Sequence, residues 1–430
     1  MSGSAEPAPP QLVEHLFRHE SGRMLAGLAR ILGLHNFELA EDIVQETLLR
    51  AMETWRFGRL PAKPAAWLML TARNLAIDVV RRERSARRFA PDLSYQLDSE
   101  WTLASTLDDL LLDREIRDDV LRMMFACCHP RLAPEVQVAL MLKILCGFGT
   151  REIARAFLVE EGAMEKRMAR GKQVLRESGA LYDIASDTAI ADRLDAVLAA
   201  LYLLFNEGYH GSHGELPVRQ ELCAEAMRLL AMLLEHPAGA VPRAVALLAL
   251  MCFHAARLPA RLDDVGSLVL LEAQDRALWD IRLIRRAVEL LDRASEGDQV
   301  SEFHLEAAIA AKHCLAARYE ETDWRGIVAL YDLLSSSKPT PIVALNRAIA
   351  VGQVDGPESG LAALHAIPRE GMRGYPFFEA AVGEMHRRAG RREQAAAHFR
   401  AAIDQSRSPA EAEVFRQRLA SCQVGVTASR

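Results

Sequence analysis

Apolar residues recur at steps of three and four along most of this chain, and that spacing predicts helices from one end to the other. The stretch Pro64–Arg88, PAAWLMLTARNLAIDVVRRERSARR, carries the clearest pattern. Leu68, Ala72, Leu75 and Val79 mark one buried face. Trp67, Thr71, Asn74, Asp78 and Arg81 mark a second face, which bears an aromatic ring, a hydroxyl, an amide and then charge. The helix ends in Arg81, Arg82, Arg84, Arg87 and Arg88, against Glu83 alone. Rings and amides stack on and hydrogen-bond unpaired bases, and clustered arginines neutralise phosphates. The helix therefore suits melted DNA; a core helix with a solvated basic end is the competing reading.

Upstream, AEDIVQETLLRAMETW (Ala40–Trp55) is amphipathic through Val44, Leu48, Ala51 and Trp55. Asp42, Gln45 and Glu46 fall together on its polar face, able to accept hydrogen bonds from a basic partner or simply to meet solvent. Phe57–Lys63 holds Gly58 and Pro61 and predicts a turn. Phe89–Asp113 is acidic, interrupted by Ser, Thr and Pro, and reads as a linker.

Glu115–Ser178 predicts a second helical domain. With Thr150 as N-cap, Ile153, Ala154 and Phe157 form one apolar face. Val159 falls in a turn, and Met164, Met168 and Leu175 form the next face. This is helix-turn-helix spacing. The second helix presents Lys166, Arg167, Arg170, Lys172 and Arg176, long cations able to reach phosphates and guanine edges in a major groove.

Composition narrows the picture. At 430 residues the chain predicts two to four domains, and half of the residues are apolar. Aromatic residues are only 6%, with Ala and Leu abundant, which favours an all-α fold. A net charge of −6 excludes a generic nucleic-acid binder, so any DNA contact must come from local basic patches. The seven cysteines are scattered, without CxxC, which suits reduced thiols in a cytoplasmic protein. No apolar run reaches the length expected of a membrane span. The opening residues MSGSAEPAPPQ lack a signal-peptide pattern and read as a disordered lead.

The pairing of AEDIVQETLLRAMETW with PAAWLMLTARNLAIDVVRR resembles domain two of bacterial RNA polymerase sigma factors, of the extracytoplasmic-function (ECF) group. The resemblance implies that Asp42, Gln45 and Glu46 face the β′ clamp helices of core RNA polymerase. It implies that Trp67, Thr71 and Asn74 line the part reading the minus-ten element, with Arg81, Arg82, Arg84, Arg87 and Arg88 on upstream phosphates. The helix-turn-helix resembles sigma domain four, which reads the minus-thirty-five element and contacts the β flap; Lys166, Arg167, Arg170 and Lys172 would then bind DNA. Two departures stand out: Leu158 replaces the usual turn glycine, and Glu165 places an acid early in the recognition helix. The acidic linker would thread polymerase channels that otherwise carry nucleic acid.

Beyond Ile184 the chain leaves this pattern but stays helical, and it repeats. Gly326 and Leu330 match Gly360 and Leu364 at a shift of 34 residues, and these match Ala395 and Phe399 at 35. Cys314, Ala348 and Gly383 keep a constant place upstream. This is the tetratricopeptide period, against the alternative of an Ala-rich helical domain without repeats. Sigma-like domains followed by such an extension resemble a recognised ECF subgroup in which the extension is a fused regulatory module.

The expected organisation is a lead at 1–11, domain two at 12–88, linker at 89–114, domain four at 115–178, and a tetratricopeptide-like extension at 184–424. Asn206, Glu207, Tyr209, His210 and His213, in ALYLLFNEGYHGSHG, are polar beside an apolar helix and are read as a domain junction rather than a metal site. Adjacent Cys127, Cys128 and His129 read as core rather than zinc ligands, since neighbouring side chains diverge on a helix. The sequence carries no nucleophile–base constellation or phosphate-binding glycine loop. No catalysis, cofactor or metal is expected. The expected partners are core polymerase, promoter DNA and a regulatory protein or ligand on the extension. The alternative is a free helix-turn-helix regulator with a helical-repeat sensor.

Overall fold

The computed structural model describes residues 10–55, 60–87, 113–157, 159–177, 187–209, 218–263, 266–297, 299–406 and 408–423. The fold is all-α; among the described residues the one β-type pairing is an isolated bridge between Leu262 and Leu268. The chain divides into two compact units, Met1–Ala200 and Leu201–Arg430.

The first unit contains α1 (Pro10–Leu32), α2 (Phe37–Trp55), α3 (Pro64–Arg87), α4 (Asp113–Cys127), α5 (Pro134–Ile144), α6 (Thr150–Ala156) and α7 (Glu161–Glu177), and the start of α8 (Asp187–Tyr209). Several helices open on proline, at Pro10, Pro64 and Pro134, where the missing N–H would be unsatisfied anyway. Hence α1 begins inside the expected lead. Helix α4 likewise begins at Asp113, within the last residues expected of the linker. The rest of the acidic linker lies outside the described residues.

Helix α1 organises this unit. It packs on α2 and α3 and also on α4 and α5. Met24, Leu25, Leu28, Ala29 and Leu32 are buried along it. Two glycines let it approach the turn after α5. A Cβ on Gly22 would stand 2.3 Å from the Leu145 carbonyl oxygen, and one on Gly147 (φ +67°) would stand 2.9 Å from the Arg18 carbonyl oxygen. Leu145 and Cys146 are core and Gly147 is the turn, as their sequence pattern suggested.

The apolar faces are close to those expected, with a rotation in α3. Leu68, Ala72 and Ala76 are buried, while Leu75 and Val79 are half-buried, because small Ala76 rather than Leu75 meets the neighbouring helices. In the helix-turn-helix, Ile153, Ala154, Met164, Met168 and Leu175 are buried. Gly171 joins that face and lies against Val136 and Leu140 of α5. The N-cap of α6 is Gly149, with Thr150 already in the first turn. The extended backbone of Gly149 and the Glu152 carboxylate, which accepts its N–H at 2.7 Å, move the cap one residue earlier than Thr150. Cys127 and Cys128 are fully buried, and burial pushes the Cys128 thiol up to about 12.

The second unit takes the end of α8, then α9 (Gln220–Glu235), α10 (Pro242–Ala256), α11 (Ile281–Ala294), α12 (Glu302–Leu315), α13 (Trp324–Ser337), α14 (Pro341–Val354), α15 (Pro357–His365), α16 (Pro376–Arg388), α17 (Arg392–Gln405) and α18 (Pro409–Gln423). Pro242–Ala260 is long and apolar enough to cross a membrane, contrary to the sequence reading. It is 83% buried within the protein, so its apolar length is accounted for by its place in the core between α9, α11 and α12.

The repeat positions fall on successive helix pairs. Cys314, Ala348 and Gly383 lie on α12, α14 and α16; Gly326, Gly360 and Ala395 lie on α13, α15 and α17. Leu364 and Phe399 are fully buried and Leu330 is partly so. A Cβ on Gly383 would stand 3.1 Å from the Phe399 ring, and Gly360 lies against Gly352 of α14. Small residues thus occur where consecutive helices approach, with large ones beside them.

Candidate nucleic-acid interface

Helix α2 presents Asp42, Gln45 and Glu46 as exposed side chains. Glu46 accepts from Arg50 Nε at 2.9 Å along the same helix. The opposite face of α2, through Ala40, Ile43, Val44, Thr47 and Ala51, is buried, so core packing turns the acidic patch outward.

On α3, Asn74, Arg81 and Arg82 are exposed and Thr71 is half-buried. The Thr71 hydroxyl donates to the Trp67 carbonyl at 2.8 Å, which leaves its oxygen as an acceptor. Trp67 is half-buried and meets Trp55 edge-on, with ring centroids 5.4 Å apart; Trp55 in turn lies 5.5 Å from Phe17. The Arg84 and Arg87 side chains, and Arg88 altogether, lie outside the described residues.

On α7, Lys166, Arg167 and Arg170 point to solvent, as does Glu165. Lys172 does not. Its Nζ donates to both carboxylate oxygens of Glu41 on α2, at 2.5 and 2.7 Å, and lies 5.5 Å from the Phe37 ring centroid. Arg176 donates to Glu38 at 2.7 Å. Lys143 of α5 is part of the same neighbourhood. Burial and the Lys172 charge hold its amine below the usual lysine range, against Glu41 and Glu152. Leu158 lies outside the described residues.

Further pairs tie α1 to the second helical group. Arg18 donates to Glu152 at 2.8 Å, its guanidinium 4.9 Å from the Phe148 ring centroid. Arg30 Nε lies 3.0 Å from the carboxylate of Asp119 on α4, which also accepts from Arg122 at 3.0 Å. The Asp119 side chain is wholly buried, and burial raises its carboxyl to about 6, against the pull of Arg30 and Arg122. Sequence reading missed Glu38, Glu41, Arg18, Arg30 and Asp119. Glu38 and Glu41 were visible as acids at the start of α2, but nothing local names partners more than 130 residues away.

In the second unit, Tyr209 is buried. Its ring lies 4.9 Å from that of His254, and its hydroxyl accepts from Arg257 at 2.9 Å. Asn206 and Glu207 are half-buried; His210 and His213 lie outside the described residues. No group of three or more His, Cys, Asp or Glu suited to a metal occurs among the described residues.

These helices define a protein of the sigma-70 class. Residues 16–86 match sigma-70 region 2, and residues 122–175 match sigma-70 region 4. Over 138 residues the chain is 32% identical to the ECF RNA polymerase sigma factor SigL of Mycobacterium tuberculosis, covering 32% of this chain and 72% of that one. It is 28% identical over 164 residues to the RNA polymerase sigma factor CarQ of Myxococcus xanthus, covering 38% and 87%. The chain belongs to the ECF RNA polymerase sigma factor family. It carries a C-terminal extension, in which residues 193–295 match a family of unknown function, DUF6596. The chain is 39% identical over 387 residues to an uncharacterized protein of Rhizobium meliloti, covering 89% of this chain and 90% of that one. No solved structure matches the chain.

Proposed function

We propose that this sigma factor directs core RNA polymerase to specific promoters, and that its extension is a fused module regulating that activity. The observation that carries the reading is the outward set of contact groups on the region 2 helices: Asp42 and Gln45 on α2, Asn74, Arg81 and Arg82 on α3. Asp42, Gln45 and Glu46 accept hydrogen bonds from the β′ clamp helices. Trp67, Thr71 and Asn74 receive the minus-ten bases as they leave the stack, and the arginine tail neutralises flanking phosphates. Lys166, Arg167, Arg170 and, once released from Glu41, Lys172 serve the minus-thirty-five duplex, with region 4 against the β flap. The protein has no catalysis of its own and acts beside the polymerase in the cytoplasm.

The extension is a tetratricopeptide-like stack whose helix pairs depend on their neighbours, and it answers to a regulatory protein or ligand. Within this module Tyr209 is buried beside Phe205, His254 and Arg257.

In vitro transcription from a promoter library, with core polymerase and either the full chain or a chain ending near Ile184, tests both parts. Promoter-specific transcripts that require this protein are expected, at a level the extension changes. Absence of any transcript from a full chain that binds core polymerase would remove the promoter-directing role. Equal output with and without the extension, under inducing and resting conditions, would remove the regulatory one. The double variant Asp42→Ala, Gln45→Ala should retain its circular dichroism and bind core polymerase more weakly in a titration; unchanged affinity would reject the assigned face.

A further inference from the structure

Within the extension, cationic and N–H groups gather where α10 and α12 end. Arg257 closes α10 and is only 6% exposed. Its Nη2 donates to the Tyr209 hydroxyl at 2.9 Å and lies 2.6 Å from His254 Nδ1, while its Nε–H is buried without a partner. Arg276, in the segment before α11, donates through Nη1 to the carbonyls of His313 and Ala316, each at 2.7 Å. Its Nη2 is buried without a partner. The Arg276 guanidinium lies 4.5 Å from the centroid of the Trp279 ring, whose Nε1–H is again buried and unpartnered at 6% exposure. His313 Nδ1 is in the same state. Arg261 adds a third guanidinium, 4.1 Å from the centroid of the Tyr209 ring.

These groups share one electrostatic environment. Burial and the charges of Arg257 and Arg276 push the His313 imidazole down to about 3, so it is neutral at pH 7. Burial and the Arg257 charge also hold Arg276 below its ordinary value, against Glu320 and Glu321. Among the described residues neither Arg257 nor Arg276 forms an ion pair with a carboxylate; Glu321 is engaged by Arg318 at 2.5 Å. The carbonyls ending α12 answer part of the Arg276 charge, but a helix end carries only about half an elementary charge. A buried cation without a full counter-charge is costly, and buried N–H groups in native proteins nearly always have acceptors. The donor set is selective: guanidinium and indole N–H groups offer nothing to a metal cation or an apolar ligand, and match the oxygens of an anion.

We propose that this cluster is a binding site for a small oxyanion, a phosphate or carboxylate group, held by the free N–H groups of Arg257, Arg276 and Trp279. The site belongs to the extension and stands independently of whether the extension regulates transcription. Arg276 is its partly exposed member and forms the entrance; Arg257 and Trp279 form the interior. Binding supplies a counter-charge that no described carboxylate gives Arg257 or Arg276, so the anion stabilises the folded chain by linkage.

The test is thermal unfolding of the full-length protein in sodium phosphate and, separately, sodium acetate, against sodium chloride at matched ionic strength. Arg276→Gln and Arg257→Gln serve as variants, with circular dichroism as the check on folding. A saturable rise in Tm of about 3 °C is expected, lost or reduced at least tenfold in apparent affinity in the variants. Phosphate acting alone assigns a phosphoryl group, acetate alone a carboxylate, and both together an oxyanion site of broad tolerance. Should Arg257→Gln fail to fold, Arg276→Gln decides, because its amide can still serve the α12 carbonyls. No rise over chloride with either anion overturns the site. A rise of equal size and affinity in the folded variants also overturns it, showing an adventitious ion only.

Discussion

Lys172, on the recognition helix of region 4, is bound through its ammonium to both carboxylate oxygens of Glu41, on the helix of region 2 that carries the acidic patch. Each side chain is about one-fifth exposed, so water screens the pair only partly. Arg176 and Glu38 repeat the contact one turn along. On the proposed function, two carboxylates thereby occupy cations that would otherwise serve DNA phosphates.

Glu41→Gln should therefore strengthen binding of the protein to duplex DNA. An ion pair of this exposure is worth about 1 kcal/mol, equivalent to a three- to tenfold gain in affinity, larger when Glu38→Gln is added. Fluorescence anisotropy with a minus-thirty-five duplex at fixed salt measures it. Unchanged or weaker binding by a folded variant would mean that these carboxylates do not compete with DNA.

Asn74→Ala should reduce open-complex formation more than duplex binding, because in the proposed role the exposed amide is used only once a base has left the stack. The expected loss is about 1–3 kcal/mol. Permanganate reactivity and duplex affinity, measured side by side, separate the two steps; equal losses would assign Asn74 to duplex contact. Arg81→Ala and Arg82→Ala should instead weaken binding to all sequences and lower the salt dependence by about one unit of slope each.

Asp119 gives a pH signature. Its folded-state carboxyl, raised to about 6 chiefly by burial, holds a proton over a range in which the unfolded chain has lost it. The native state then binds more protons than the unfolded state, so this group's contribution to stability is greatest below about pH 4. It falls by about 3 kcal/mol as pH rises to 6, and is flat above. Urea unfolding of the wild type and Asp119→Asn at pH 4, 5, 6 and 7 isolates the effect. The stability difference, wild type minus variant, should shrink as pH rises from 4 to 6; a constant difference would contradict the raised value.

Gly22→Ala should loosen the packing of α1 on region 4. The new Cβ would stand 2.3 Å from the Leu145 carbonyl oxygen, a backbone atom that cannot rotate away. A cost of about 1–3 kcal/mol is expected in denaturant unfolding. Gly162→Ala, where a Cβ meets nothing within 4 Å, is the control; equal effects from the two would exclude the close approach as the cause.

Much of the protein was legible in the order of its residues. The helical period is local, so α2, α3, α6 and α7 could be read from Val44, Leu68, Ile153 and Met164 and their repeats. Prolines such as Pro64, Pro341 and Pro376 begin helices because that position needs no N–H, a rule independent of tertiary context. The exposure of Asp42, Gln45 and Asn74 followed from the faces opposite them. The exact cap at Gly149, the rotation of the α3 face toward Ala76 and the engagement of Thr71 with its own helix each depended on a neighbour or a backbone angle that periodicity does not encode. Only the tertiary structure paired Lys172 with Glu41, sealed Asp119 between Arg30 and Arg122, and buried one N–H each of Arg257, Arg276 and Trp279 without an acceptor among the described residues. Periodicity turns a side chain inward or outward on its own helix. Which charge it meets there is set by chain closure over tens to hundreds of residues, and the cost of burying that charge exists only once the helices have packed.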